Sequence, residues 1–497
     1  MADTALFEFD NTYARMPGRF FSKLPPTPVA EARLLLLNEN LARDLGLDPD
    51  VLSGEIGVST FAGNYVPCGA EPLAMAYAGH QFGNWVPQLG DGRAILLGEV
   101  VGCDGFHWDI QLKGAGPTPF SRMGDGRAAL GPVLREFLIS EAMHALGIPT
   151  TRSLAVVTTG EPVFRERPLP GAVLTRVARS HVRVGTFQFF AARQDSEALR
   201  VLADHVIDRL VPEAREADNP YLALLEGVVE RQSKLIASWL LVSFIHGVMN
   251  TDNMSVSGET IDYGPCAFMD WFDPATVYSS IDRGGRYSYG NQPAIGMWNL
   301  SRFAQTLLPL LDNDPKMALA MAQQVIEGYS DRYRDAFAKG LARKLGLAGG
   351  RDKDAQLGHN LLGLMADNRA DFTRTFRGLS DLSGRIEFVT EDRSVRDLFD
   401  DPTAFDSWAE QWRAGLAKQG LNDEERQAAM RLVNPAYIPR NHLVERALDS
   451  AENQGDLAPC LELLEVLRCP YEIRDGLDRY AKPPRDDEIV QATYCGT

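Results

Sequence analysis

The change of hydrophobic period along the chain constrains its fold more than any other feature. Between about Gln81 and Ala191 apolar residues come in short segments punctuated by glycine, proline and aspartate, whereas beyond Ala191 they recur at helical spacing. Residues 94–101 and 106–113 flank Gly102, Asp104 and Gly105, which predicts an antiparallel hairpin. In its second strand Phe106, Trp108, Ile110 and Leu112 share one face and His107, Asp109, Gln111 and Lys113 the other, so Lys113 is expected on a displayed polar face. Pro132 suits the first turn of a helix that runs to Ala145 and stops at Gly147 and Pro149, and 153–159 and 172–177 read as further strands. Helices then dominate, among them 221–245, interrupted by a polar loop and a short strand near Thr260. Strands first and helices afterwards imply an α+β protein with segregated lobes, not a doubly wound sheet.

Residues 1–80 read as an N-terminal extension with a helix over 31–45 closed by Gly46, 81–190 as a strand-rich N-lobe, 191–349 as a C-lobe and 350–497 as a helical C-terminal extension. A chain of 497 residues with 45% hydrophobic and 24% charged residues is globular and exceeds one small domain. Its net charge of -17 argues against a nucleic-acid partner, because phosphate backbones would be repelled over most of the surface. The exception is 111–190, where ten Lys and Arg face five Asp and Glu, the footprint of a compact anion site such as a nucleotide triphosphate. The longest uncharged apolar stretch, 235–249, falls short of the roughly 20 residues a bilayer helix needs and reads as a buried core helix. The N-terminus is acidic and lacks an apolar core, so the cytoplasm is expected. The six cysteines are irregularly spaced without a C-x-x-C pair and read as mostly reduced thiols.

Gly90, Gly92 and Arg93 precede a strand, where bare backbone can approach phosphates; alone they read first as a tight hairpin turn. The pentapeptide they belong to, GDGRA at 90–94, recurs at 124–128. Lys113 at a strand end precedes Glu136, within a helix, by 23 residues, a spacing at which a carboxylate can hold a lysine charged and aimed at phosphates. The long apolar helix runs into His246-Gly247-Val248-Met249-Asn250-Thr251-Asp252-Asn253, and nine residues after Asn253 stands Asp262-Tyr263-Gly264. In length and order this resembles the protein-kinase pattern H-R-D-x-x-x-x-N followed by D-F-G, with Asn253 and Asp262 as oxygen ligands for Mg²⁺. Val248 occupies the slot of the catalytic aspartate and cannot accept a proton, which leaves Asp252 as the nearest substitute base or as a residue that orients Asn253. Arg176, Arg179, His181 and Arg183 place several cations within eight residues, suited to phosphates or to a solvated basic loop.

Longer strings carry a closer resemblance. AGHQFGNWVPQLGDGRA, LKGAGPTPFSR, HGVMNTDNM, IDYGP and NPAYIPRNH together resemble the selenoprotein O family of protein adenylyltransferases, also called the YdiU family, over nearly the whole chain. The resemblance implies a protein-kinase-like two-lobed fold that binds ATP in inverted orientation and transfers AMP to Ser, Thr or Tyr hydroxyls of proteins, with UMP from UTP also open. It implies that Gly90, Gly92, Arg93, Lys113, Asp125, Gly126, Arg176, Arg183 and Asp262 surround the nucleotide, supported by Glu136. It further implies that Asn253 and Asp262 hold Mg²⁺ or Mn²⁺ and that Asp252 accepts the proton. A kinase that transfers the γ-phosphate and a catalytically dead nucleotide-binding scaffold remain the alternatives. Animal members carry selenocysteine at the third-last position, where this chain has Cys495, which suggests a redox disulfide from Cys495 or Cys469 to Cys266.

Overall fold

The structure, a computed structural model, describes residues 6–347, 352–385, 392–420 and 422–494. Ten strands precede residue 180: β1 Phe21–Lys23, β2 Arg33–Leu37, β3 Leu73–Met75, β4 Gly79–Gln81, β5 Asn84–Val86, β6 Ala94–Val101, β7 His107–Lys113, β8 Ala128–Ala129, β9 Arg152–Phe164 and β10 Pro168–Ala178. Eight of them form one sheet in the order β1-β3-β6-β7-β10-β9-β2, with β8 beside β10, and β4 and β5 form a separate hairpin. The expected hairpin of 94–101 and 106–113 is present as β6 and β7, in antiparallel register from Ala94 opposite Lys113 to Val101 opposite His107.

The helix expected over 31–45 is replaced by β2 followed by the short helix α1, Glu39–Asp44. Leucine is a good helix former, but propensity yields to tertiary context, and here the β9 edge supplies partners for the run of leucines, with Leu34 opposite Val157 and Leu37 opposite Ala155. Asn38 then starts α1 by accepting a hydrogen bond from the Leu41 amide. Residues before 80 thus contribute β1, β2 and β3 to the same sheet as the rest. A second expectation also fails: the polar face of β7 is not displayed to solvent, because Asp109 and Gln111 are buried. Arg209 neutralises that face, 3.0 Å from Asp109 and 2.6 Å from Glu99 of β6.

Helix α2, Leu130–Ala145, lies across β9 and β10 with Val133, Leu134, Phe137 and Leu138 buried. After α3, Val184–Ala191, and α4, Pro220–Leu241, the chain enters a two-stranded ladder of β11, Phe244–Ile245, and β12, Ala267–Phe268. The helix expected to reach 245 stops at Leu241, and Ser243 turns the chain with a left-handed φ of 60°. No strand forms at Thr260, which makes a single parallel bridge with Thr150. The polar loop between β11 and β12 is therefore held at both ends by the ladder. Helix α5, Gln292–Leu311, and further helices follow. No helix among the described residues is long and apolar enough to cross a membrane.

One apolar core runs from α2 into the C-terminal helices, joining Phe137 and Leu138 to Trp408, Trp412, Leu463 and Leu464. Polar contacts repeat that link, since Arg135 pairs with Glu445 and the Gly131 amide donates to Glu452 at 2.8 Å. Lys344 is buried in this core, 4.7 Å from the Phe376 ring centroid and 5.7 Å from that of Phe372, and burial pushes its ammonium from the ordinary 10.5 down to about 7. Its folded value lies below its unfolded one, so the unfolded chain binds more protons between these values and stability rises with pH across that window. Below about pH 7 the full cost of the buried charge is felt. Lys344→Met should therefore stabilise the protein at pH 7 by on the order of 2 kcal/mol and flatten the rise from pH 7 to 10. Urea unfolding of both proteins at the two pH values reads this directly, and an equal slope in the variant would contradict it.

Candidate active site

The site grows from the ends of the sheet and the ladder. Strand alternation brings Lys113 at the end of β7 beside Arg176 of β10, whose registers pair Lys113 with Leu174 and Gln111 with Arg176. Both cations converge on Glu136 of α2: Lys113 Nζ lies 2.5 Å from Glu136 Oε2, and Arg176 Nε donates to Glu136 Oε1 at 2.7 Å. Glu136 is 2% exposed and leaves the cavity to the two cations. Burial alone would keep its carboxyl protonated, yet Arg176 and Lys113 hold its proton affinity below the ordinary range. Arg183, at the start of α3, completes a triad of cations around Asp262. The Asp262 carboxylate lies 3.3 Å from Lys113, 2.7 Å from Arg176 and 2.8 Å from Arg183, and these charges hold its proton affinity well below the ordinary range despite burial. Asp262 carries a left-handed φ of 64°, which for a residue other than glycine marks a conformation imposed by its surroundings.

Asp252 sits across the cavity in a cradle that only glycine permits. A Cβ on Gly79 would stand 2.6 Å from Asp252 Oδ1, and one on Gly185 would stand 3.3 Å from Asp252 Cα. Gln81 Nε2 donates to Asp252 Oδ2 at 3.0 Å, while Oδ1 has no hydrogen-bond partner among the described residues. Burial raises the Asp252 carboxyl to about 6, in the range where a carboxylate can take up a proton near neutrality. Asn253 is oriented by its amide nitrogen, which donates to the Val248 carbonyl at 3.0 Å and leaves Oδ1 as the atom able to ligate a metal. Val248 itself presents an apolar side chain to the cavity.

An amide oxygen and a carboxylate are hard donors that suit Mg²⁺ or Mn²⁺. No group of three or more His, Cys, Asp or Glu side chains that could hold a metal occurs among the described residues. Asn253 and Asp262 therefore fit a dication that takes its remaining ligands from phosphate and water, the usual arrangement for Mg²⁺.

Gly90, Gly92, Arg93, Lys113, Asp125, Gly126, Arg176, Arg183, Asp252, Asn253 and Asp262 all line one cavity of about 460 Å³, a volume within the range of small-ligand sites. Both GDGRA copies meet there. The loop between them folds back, with Thr118 Oγ1 donating to the Asp91 carbonyl at 2.7 Å and Ser121 bonding the Gly92 carbonyl. A Cβ on Gly90 would collide with the Phe120 ring, so this glycine serves close packing of that loop as well as the turn. Asp125 stands on the rim, paired with Arg165 at 2.8 Å.

Two of the four clustered cations are elsewhere. Arg179 lies over the Phe106 ring, 3.9 Å from its centroid, and His181 is buried against Asp109 at 3.0 Å, because β10 ends at Ala178, opposite Asp109, and the chain beyond it follows the start of β7, away from Lys113 at the other end of that strand. Residue-by-residue reading passed over Gly79, Gln81, Asp91 and Gly185; the first three fall in the string AGHQFGNWVPQLGDGRA, whose length was the available signal. The string NPAYIPRNH gains a physical role. Asn441 bonds both the amide and the carbonyl of Phe268 in β12, at 3.1 and 2.8 Å, and Arg440 is buried between Asp270 and Asp371. The C-terminal region thus latches the strand that follows the Asp262 loop. Cys68, Cys103, Cys460 and Cys469 are free thiols, Cys266 is buried, and Cys495 lies outside the described residues.

Comparison with known proteins gives the family of the chain. The family model described as protein adenylyltransferase SelO matches residues 4–468. A protein from Rhodopseudomonas palustris (strain BisB5) named protein nucleotidyltransferase YdiU is 60% identical over 99% of this chain and 100% of its own length. Proteins of the same name from Methylorubrum extorquens (strain PA1) and Rhizobium johnstonii are 60% and 59% identical, each over 99% of this chain and over 100% and 98% of their own lengths. The chain is accordingly a nucleotidyltransferase. It belongs to the protein adenylyltransferase SelO family.

Proposed function

We propose that this protein transfers AMP from ATP to Ser, Thr or Tyr hydroxyls of other proteins and releases pyrophosphate. The observation that carries the reading is the apolar Val248 in the slot of a kinase base, set beside a buried Asp252 with an unpartnered oxygen and opposite three cations gathered on Asp262. In this reading the acceptor O–H gives its proton to Asp252 as its oxygen attacks the α-phosphorus, and the bond from that phosphorus to the bridging oxygen of the β-phosphate breaks. Lys113, Arg176 and Arg183 stabilise the charge that grows on departing pyrophosphate. Glu136 fixes two of those cations, so the donors are aimed before the nucleotide arrives. A dication held by Asn253 and Asp262 would supply charge neutralisation at the phosphates.

The same reading assigns 81–190 to a phosphate-gripping lobe and 191–349 to a lobe with the catalytic and metal loops, in a protein-kinase-like fold extended by 1–80 and 350–497. UTP is a second donor of the same chemistry, and a cytoplasmic setting supplies both nucleotides. Intact-mass analysis of an acceptor protein after incubation with ATP and Mg²⁺ tests the proposal. One added AMP residue per site is expected, whereas addition of phosphate alone would establish the kinase alternative and an unchanged mass the scaffold.

A further inference from the structure

Beside Asp252, and outside the nucleotide cavity, lies an aromatic and cationic surface that the transfer chemistry does not use. It is built on the β4–β5 hairpin, which bonds the catalytic loop directly: the His80 amide donates to Thr251 Oγ1 at 2.7 Å and the Phe82 amide to Asn250 Oδ1 at 3.0 Å. The next link is Gln188, whose amide bridges the two, with Thr251 Oγ1 donating to Gln188 Oε1 at 2.6 Å and Gln188 Nε2 lying 2.9 Å from His80 Nδ1. Around His80 stand Trp85, at 5.0 Å between ring centroids, and Trp298 of α5, at 5.2 Å and nearly perpendicular. Trp85 is 40% exposed.

Two guanidinium groups share the Trp298 ring. Arg286 and Arg302 lie 4.9 and 5.2 Å from its centroid, and Arg286 is also packed against the bare backbone of Gly83, where a Cβ would stand 3.5 Å from its Cζ. Neither has a carboxylate within ion-pair distance among the described residues, and the Nε of each is buried without a hydrogen-bond partner. Asp282, the nearest acidic residue in sequence to Arg286, spends its carboxylate on the backbone amides of Arg286 and Tyr287, at 2.9 and 2.7 Å. Like charges gathered on one ring repel each other, and a chain of net charge -17 has carboxylates to spare elsewhere. The arrangement is relieved by an anion brought from outside.

We propose that this platform docks the segment of the protein substrate next to its reacting hydroxyl and selects an acidic side chain there; the inference rests on the protein-acceptor reading above. Gln81, which touches Asp252, and His80, which carries the platform, are neighbours on β4, so one short strand holds the base on one face and the platform on the other. The Trp85 and Trp298 faces give the peptide backbone and stems an apolar bed, and the guanidinium forks match a carboxylate.

The test uses the full-length protein with two labelled synthetic peptides of one sequence, a single serine flanked either by glutamates or by lysines. Fluorescence anisotropy reads docking without the chemistry, and AMP incorporation from α-labelled ATP reads transfer. The glutamate peptide is expected to bind at least tenfold more tightly than the lysine peptide. Arg286→Gln with Arg302→Gln should raise its Kd and KM about five- to tenfold, with kcat and ATP affinity unchanged. Arg302→Glu should move the preference toward the lysine peptide, a gain that misfolding cannot mimic. Equal binding of the two peptides by the native protein, or an unaltered preference in the double variant, would overturn the inference. So would equal binding of a single-stranded oligonucleotide of matched charge. Retained preference in anisotropy with no α-label transferred would instead sink the AMP-transfer reading and leave the docking surface standing.

Discussion

Asp262→Asn is expected to lower AMP transfer by about a thousandfold or more while leaving ATP affinity in the absence of metal equal or higher. The two halves of this prediction follow from one contact set. The carboxylate is the shared anion of Lys113, Arg176 and Arg183, and it is also one of two candidate ligands for the dication. An amide keeps the shape but removes the charge, so metal-dependent activation is lost and three buried cations are left short of an anion, a deficit costing about 3–5 kcal/mol in the absence of nucleotide. Phosphates then supply what the side chain no longer does, and ATP should raise the melting temperature of the variant more than that of the native protein. Label incorporation across a Mg²⁺ titration, together with melting curves with and without ATP, measures both halves. Undiminished transfer would place the metal elsewhere.

Asp252→Asn should cut kcat by about 10²- to 10⁴-fold with little change in the affinity for ATP, the range expected for loss of a general base. The side chain is fixed by Gln81 and enclosed by Gly79 and Gly185, so an isosteric amide fits the same cradle and the fold is preserved. What disappears is the basic oxygen. Asp252 also precedes Asn253 directly, and its carbonyl accepts from Arg183 at 2.8 Å, a contact the variant keeps because it is made by the backbone. Loss of rate with an intact Mg²⁺ dependence therefore separates proton acceptance from mere support of the metal ligand, and an unchanged kcat would assign Asp252 to support alone.

Much of this site was legible because its chemistry is local in sequence. The spacing of Lys113 and Glu136 corresponds to a strand end and a helix that crosses it, and the loop from His246 to Asp262 is confined by one short ladder, so motif order translates into proximity. The strand-first reading also held for β6, β7, β9 and β10, with apolar alternation in β7 and short apolar runs in the other three. The failures have tertiary causes. Leu34–Leu37 is a good helix segment taken by the edge of β9, and Asp109 and Gln111 are polar residues on a face covered by Arg209 and Arg176 rather than by water. Arg179 and His181 look like site residues until β10 ends opposite Asp109 and leaves them at the start of β7, away from Lys113. Arg286, Arg302 and Trp298 gave no signal at all, since the platform joins segments separated by some two hundred residues that meet only after folding.

The inverted use of a kinase-type metal site is the central claim, and ATP carrying one label on the α-phosphate and another on the γ-phosphate tests it most directly. With an acceptor protein and Mg²⁺, the α-label is predicted on the protein and the γ-label in pyrophosphate. Appearance of the γ-label on the protein, with the α-label left in ADP, would contradict the account.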